Sequence, residues 1–124
     1  MRQETPFSHL RLSSEYSITQ GLITVSQIVE SAEKYKIPSI ALTDVGNMFG
    51  LVKFFNKCES AGIKPISGSS IKLIFDDDDT SYELLCLAKT NNGHKNLMKI
   101  ICLAPFRFIN QIGIKVLSVL LQGV

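Results

Sequence analysis

Between Thr24 and Gly68 the chain alternates between two hydrophobic periods, and residues with few backbone alternatives mark the points of change. Thr24-Val25-Ser26-Gln27 matches a capping box, in which the Thr24 hydroxyl accepts from the Gln27 amide while the Gln27 side chain reaches back. Ile28, Val29, Ala32 and Tyr35 recur at helical spacing and predict one apolar face. Lys34 and Lys36 suit the negative end of the helix dipole, and Pro38 stops the helix. Residues 39–43 then form a compact strand, with Asp44-Val45-Gly46-Asn47 as the turn after it. A second helix is predicted over about residues 48–61, with Leu51, Phe54, Phe55 and Cys58 inside and Gly62 as its stop. Residues 63–68 lead into a further strand ending near Phe75. Such alternation argues for an α/β fold with a largely parallel sheet.

The flanks extend the pattern. Residues 9–12 read as a first strand, followed by a loop containing Gly21. Residues 81–88 are rich in β-compatible side chains and form a hairpin with the strand before them. Between these two, Asp76 to Asp79 make a run of four carboxylates, read as a solvated loop. Calcium would need staggered ligands and a glycine bend, which the run lacks. Asn91 or Asn92 can cap a third helix with Leu97, Ile100, Ile101 and Ala104 inside. The expected order is β-α-β-α-β-β-α. Residues 105–124 break the rhythm: they are apolar, contain no acid, and follow neither a period of 2 nor one of 3.6. Two units are therefore expected, residues 1–104 and a divergent apolar tail, 105–124.

Composition removes several classes of function. Hydrophobic residues are 45% of the 124, enough for a core. A net charge of +2, with the basic residues scattered, does not argue for direct nucleic-acid binding. Cys58, Cys86 and Cys102 form no C-x-x-C pair, and two lie in apolar surroundings, which fits a reduced, cytoplasmic compartment. Met1 to Ser8 has no apolar signal core, and the apolar tail is interrupted by Arg107, Asn110, Gln111 and Lys115, so no membrane span is expected.

Candidate site residues cluster where strands end. Asp44 could act as an acid at a strand end, or its carboxylate could accept backbone N–H bonds in the turn before the second helix. Glu15 and Tyr16 could line a pocket or fix the first loop. Arg11 could bind phosphate, face solvent or pair with a carboxylate. His94, at a helix start, suits an exposed or capping role. No nucleophile–base pair or glycine-rich phosphate loop is present, so no catalytic residue is assigned and substrate-binding residues stay unknown.

Four segments in fixed order carry a family resemblance: His-Leu-Arg-Leu-Ser-Ser-Glu-Tyr-Ser at 9–17, Ile-Ala-Leu-Thr-Asp-Val-Gly-Asn-Met-Phe-Gly at 40–50, Val-Lys-Phe-Phe at 52–55, and Ala-Gly-Ile-Lys-Pro-Ile-Ser-Gly at 61–68. Together they resemble the PHP domain at the N-terminus of bacterial DNA polymerase III alpha subunits, over about residues 7–104. The resemblance implies an incomplete (β/α)7-like barrel with its site at the C-terminal ends of the strands. Active members hold divalent metals through His, Asp and Glu and can hydrolyse phosphoesters. Members with a degraded site resemble a platform that supports the polymerase and receives its proofreading exonuclease subunit.

Carried over residue by residue, the ligand pattern is sparse. His9 and Asp44 remain as remnant ligand positions, while Ser13, Gln20, Val45 and Ser70 stand where further His or acidic ligands are expected. A multinuclear site needs several nitrogen and carboxylate ligands, so no cofactor is expected for this chain. The resemblance thus implies a fragment of a replicative polymerase alpha subunit, a DNA-directed DNA polymerase and nucleotidyltransferase acting in DNA replication. Its role would be scaffold and docking, its partners the rest of that subunit and the exonuclease, and DNA would be met only through the full-length parent. The alternative is a stand-alone metal-dependent phosphoesterase of the PHP type. Because such a barrel takes about 200 residues or more, the chain is expected to be a fragment or the product of a truncated or frame-shifted reading frame.

Overall fold

The computed structural model describes residues 6–17, 21–75 and 78–103. Its elements run α1 (Val25–Lys34), β1 (Ser39–Leu42), α2 (Leu51–Ala61), β2 (Lys64–Phe75), β3 (Asp78–Leu87) and α3 (Asn91–Leu103). β1 pairs in parallel with β2, Ser39 opposite Lys64 and Leu42 opposite Ser67. The connection between them is α2, as a parallel pair requires. β2 then turns back into β3 as an antiparallel ribbon, from Gly68 opposite Leu87 to Phe75 opposite Asp78. The mixed α/β order follows the sequence pattern, but the described sheet is mixed rather than largely parallel, because its longer pair, β2 with β3, is antiparallel, and the start of the chain differs as well. Residues 9–12 do not make a full strand. His9 forms only an isolated parallel bridge with Ile40, held by the Ala41 N–H on the His9 carbonyl.

Both helix ends read from the sequence exist. The Thr24 hydroxyl accepts from the Gln27 N–H, and the Gln27 side chain accepts from the Thr24 N–H. Gly62 adopts φ 71°, the left-handed conformation in which an L side chain is strained, and the Ile63 N–H bonds back to the Cys58 carbonyl. α1 ends the same way, with Ile37 bonding back to Ala32, but there the left-handed position is held by Lys36 at φ 54°. The helix therefore stops at Lys34, and Tyr35 leaves the apolar face. It is 70% exposed beneath the Lys34 ammonium, which lies 5.7 Å from its ring centre.

Two apolar clusters result. Val25, Ile28, Val29 and Ala32 of α1 pack with Ile40 and Leu42 of β1, Phe54 and Cys58 of α2, and Ile63. Ile71 of β2 and Cys86 of β3 pack with Leu97 and Ile100 of α3. Phe55, expected inside, is 37% exposed. The cap of α3 is Thr90, whose hydroxyl accepts from the Gly93 N–H, rather than Asn91 or Asn92. The four-aspartate run is not all loop: Asp78 and Asp79 belong to β3. Asp76, Asp77, Gln20, Ala104 and the tail 105–124 lie outside the described residues. Among the described residues no helix is long and apolar enough to cross a membrane.

Candidate functional site

Three chain segments meet beyond the end of β1: the loop at residues 13–17, the turn at 43–47, and the middle of β2. Val45 and Ser70 form a parallel bridge, so the turn stays in register with β2 after β1 has ended. At the centre is Asp44, 1% exposed. Its Oδ1 accepts the Ser14 N–H at 2.6 Å and the Ser17 hydroxyl at 2.8 Å, and its Oδ2 accepts the Ser14 hydroxyl at 2.7 Å. The Ser17 oxygen in turn accepts the Val45 N–H at 3.1 Å, and the Ser69 hydroxyl donates to the Asp44 carbonyl at 2.7 Å. Asn47 closes the arrangement by donating to the Tyr16 carbonyl at 2.9 Å. The Tyr16 ring lies so close to Gly50 that a Cβ there would meet it at 2.8 Å.

Asp44 thus accepts donors, as one reading of the sequence expected, but not from the turn before α2. They come from the first loop, about thirty residues earlier. A buried carboxylate is tolerated only when donors replace its lost hydration, and here two hydroxyls and one backbone amide do so. Ser14, Ser17, Thr43, Ser69 and Ser70 are all buried at this place. Ser14, Ser17 and Ser69 escaped the sequence reading because serine is common in loops. Their one signal was adjacency to positions the family pattern singles out, Ser14 beside Ser13 and Ser69 beside Ser70; Ser17 had none.

His9 and Asp44 are not brought together. His9 is bridged to Ile40, four residues before Asp44, which places them roughly 13 Å apart along the strand direction. The His9 ring is exposed and packs edge-on against Phe7, 4.7 Å between ring centres. His94 Nδ1 is 2.9 Å from the hydroxyl of Ser67, which pairs with Leu42 at the last position of β1, two residues before Asp44. Arg11 pairs with Glu83 at 2.7 Å on the surface, and Glu15 with Lys53 at 3.8 Å.

A family model described as the PHP domain matches residues 9–117. The chain belongs to the PHP domain family. Among curated proteins it is similar to DNA polymerase III subunit alpha of Borreliella burgdorferi, 42% identical over 103 residues, covering 76% of this chain and 9% of that protein. It is also similar to the subunit of Vibrio cholerae, 39% identical over 82% of this chain, and to that of Bacillus subtilis, 38% identical over 76% of it. The chain spans less than a tenth of the length of these relatives. In fold it is similar to a structure assigned as a metal-dependent phosphoesterase from Bifidobacterium adolescentis, with TM-score 0.60 and 20% identity over 77% of this chain and 32% of that one. An amidohydrolase from Chromobacterium violaceum gives TM-score 0.57 at 16% identity, again over 77% of this chain and 31% of the other. The PHP match runs past residue 104, into the tail.

The resemblance implies a metal centre at the strand ends, so the donor set around Asp44 decides whether such a group fits. Among the described residues no three His, Cys, Asp or Glu side chains come together. An ion at Asp44 would have to displace the Ser14 and Ser17 hydroxyls from its oxygens. It would then find neutral hydroxyls where a PHP metal cluster needs imidazole or carboxylate. The described residues around Asp44 do not fit such a cluster.

Proposed function

We propose that the chain is the N-terminal part of the PHP domain of a replicative DNA polymerase alpha subunit, an unfinished (β/α)7-like barrel. It serves DNA replication as a scaffold and docking surface, and its metal site is degenerate. The observation that supports this most is the Asp44 carboxylate: both oxygens are taken by Ser14 and Ser17, in a PHP strand-end position where a working site needs them free for a cation. Ser13, Val45 and Ser70 supply no replacement ligands. Polymerase chemistry belongs to the full-length parent, and so do contacts with DNA. The partners in this reading are the rest of that subunit and its proofreading exonuclease, in the cytoplasm.

The experiment is metal content and turnover of the purified chain. Elemental analysis after exposure to zinc and manganese should find neither at stoichiometric level, and a generic phosphomonoester should not be hydrolysed above background. Stoichiometric metal with turnover would replace the scaffold reading by that of a small metal-dependent phosphoesterase.

A further inference from the structure

We propose that Ser67 and His94 form a hydroxyl–imidazole pair that accepts an acyl group from an anionic ester, an activity separate from the scaffold reading. The two residues are 27 positions apart, so no sequence motif joins them. The fold does: Ser67 Oγ lies 2.9 Å from His94 Nδ1. Ser67 is 7% exposed, and Nδ1 is the single partner of its hydroxyl among the described residues. With the ring hydrogen on Nε2, the hydroxyl donates to Nδ1, which is the arrangement of a nucleophile and its base. Backbone bonds fix both residues. The Ser67 carbonyl accepts the Ala88 N–H at 2.8 Å, and the His94 N–H bonds to the Thr90 carbonyl at 2.9 Å. The pair is thus carried by β2 and the first turn of α3.

Ser67 and His94 both line a cavity of about 650 Å³, so a small ester can reach them. Lys64 and Lys89 line the same cavity and no Asp or Glu does, which favours a substrate carrying a carboxylate. Asn91, the first residue of α3, lines it too, so the positive end of the helix dipole borders the place where negative charge develops on the carbonyl oxygen. The hydroxyl proton passes to Nδ1 as Ser67 Oγ bonds to the acyl carbon. The ester C–O bond then breaks, and the leaving alkoxide takes that proton. Water next gives a proton to Nδ1 and attacks the acyl-serine; the Ser67–acyl bond breaks, Ser67 recovers the proton, and the carboxylic acid departs. The sum is ester plus water to acid plus alcohol. No carboxylate lines the cavity to support the imidazolium, so turnover should be slow, and a good leaving group should let acyl-Ser67 accumulate.

The test gives the full 124-residue chain the para-nitrophenyl half-ester of succinic acid, with a chelator present, and follows nitrophenolate release. Release should saturate with ester. Ser67→Ala should reduce it to background, and His94→Gln, which keeps a partner for the hydroxyl but takes no proton, should lower kcat about a hundredfold with little change in KM. Lys64→Glu together with Lys89→Glu should raise KM about tenfold. Lys34→Glu, on α1, should change neither. Mass spectrometry of the unaltered chain gives a readout that does not depend on a variant folding: the succinyl group should sit on Ser67. It should be missing from Ser60, an exposed serine whose hydroxyl donates to the Asn56 carbonyl and has no base beside it. Release that survives Ser67→Ala, a His94→Gln chain as fast as the parent, or succinyl spread over Ser60 and lysines instead of Ser67 overturns the proposal. The metal analysis above stands apart from this result, since the reaction as written uses no ion.

Discussion

Replacing Asp44 by alanine and by asparagine separates a hydrogen-bonded clamp from a vacant metal position. Asp44→Ala leaves the Ser14 N–H, the Ser14 hydroxyl and the Ser17 hydroxyl without their acceptor in a site 1% exposed. The hydroxyls can turn elsewhere; the amide cannot. A hydrogen bond to a charged group contributes about 1.5–3 kcal/mol, so losing the amide bond and one hydroxyl bond should cost about 3–6 kcal/mol of a total of about 5–15. Asp44→Asn keeps an oxygen for the two donors at Oδ1 and places an amide nitrogen against the Ser14 oxygen, which can accept. Its cost should be about 1–2 kcal/mol, the loss of charge assistance alone. Urea unfolding followed by far-UV circular dichroism at neutral pH measures both. An alanine variant within about 1 kcal/mol of the parent, or an asparagine variant as damaged as the alanine one, would refute the clamp, since the hydrogen bonds would then not be contributing what their geometry requires.

Three further perturbations probe other parts of the fold. Thr24→Ala removes the reciprocal cap of α1 and should lower stability by about 1 kcal/mol in the same urea assay. Lys36→Gly relieves a left-handed lysine and should raise stability by about 0.5–1 kcal/mol, whereas Gly62→Ala should lower it by a similar amount; the two shifts should have opposite sign. Burial pushes the Cys58 thiol up to about 11 and raises Cys86 as well. The folded state therefore holds these protons more tightly than the unfolded chain, so stability should be level below the ordinary thiol range and fall as pH climbs from there towards about 11. A thiol reagent at mildly alkaline pH should accordingly label the exposed Cys102 quickly and the buried Cys58 and Cys86 only after denaturation.

What the sequence disclosed and what it concealed divide by distance along the chain. The α1 cap is a contact between residues three apart, and the Gly62 stop is a single backbone conformation, so both were legible. The apolar faces of α1 and α2 were legible in period but not in extent. Tyr35 and Phe55 fit the spacing, yet the end of α1 and the open side of α2 leave them in water. The cap of α3 was misplaced because Asn91 and Asn92 are also good capping residues, and only the bond from Gly93 to Thr90 settles the start. The site was hardest. Asp44 was visible as a strand-end acid, but its partners lie 27 and 30 residues away, and serine carries no pattern that marks it as the partner of a distant carboxylate.

The serine clamp also bears on the mutational routes open to this chain. A histidine introduced at Ser13 or Val45 alone would meet a carboxylate whose two oxygens already hold three donors, so the first substitution brings no ion and leaves the clamp intact. Removing Ser14 or Ser17 first exposes Asp44 before any cation can compensate it. Every single step toward a metal centre is thus neutral or harmful, and only a concerted set of changes would cross. The hydrogen bonds that tie the first loop to the turn after β1 act, over evolutionary time, as a ratchet.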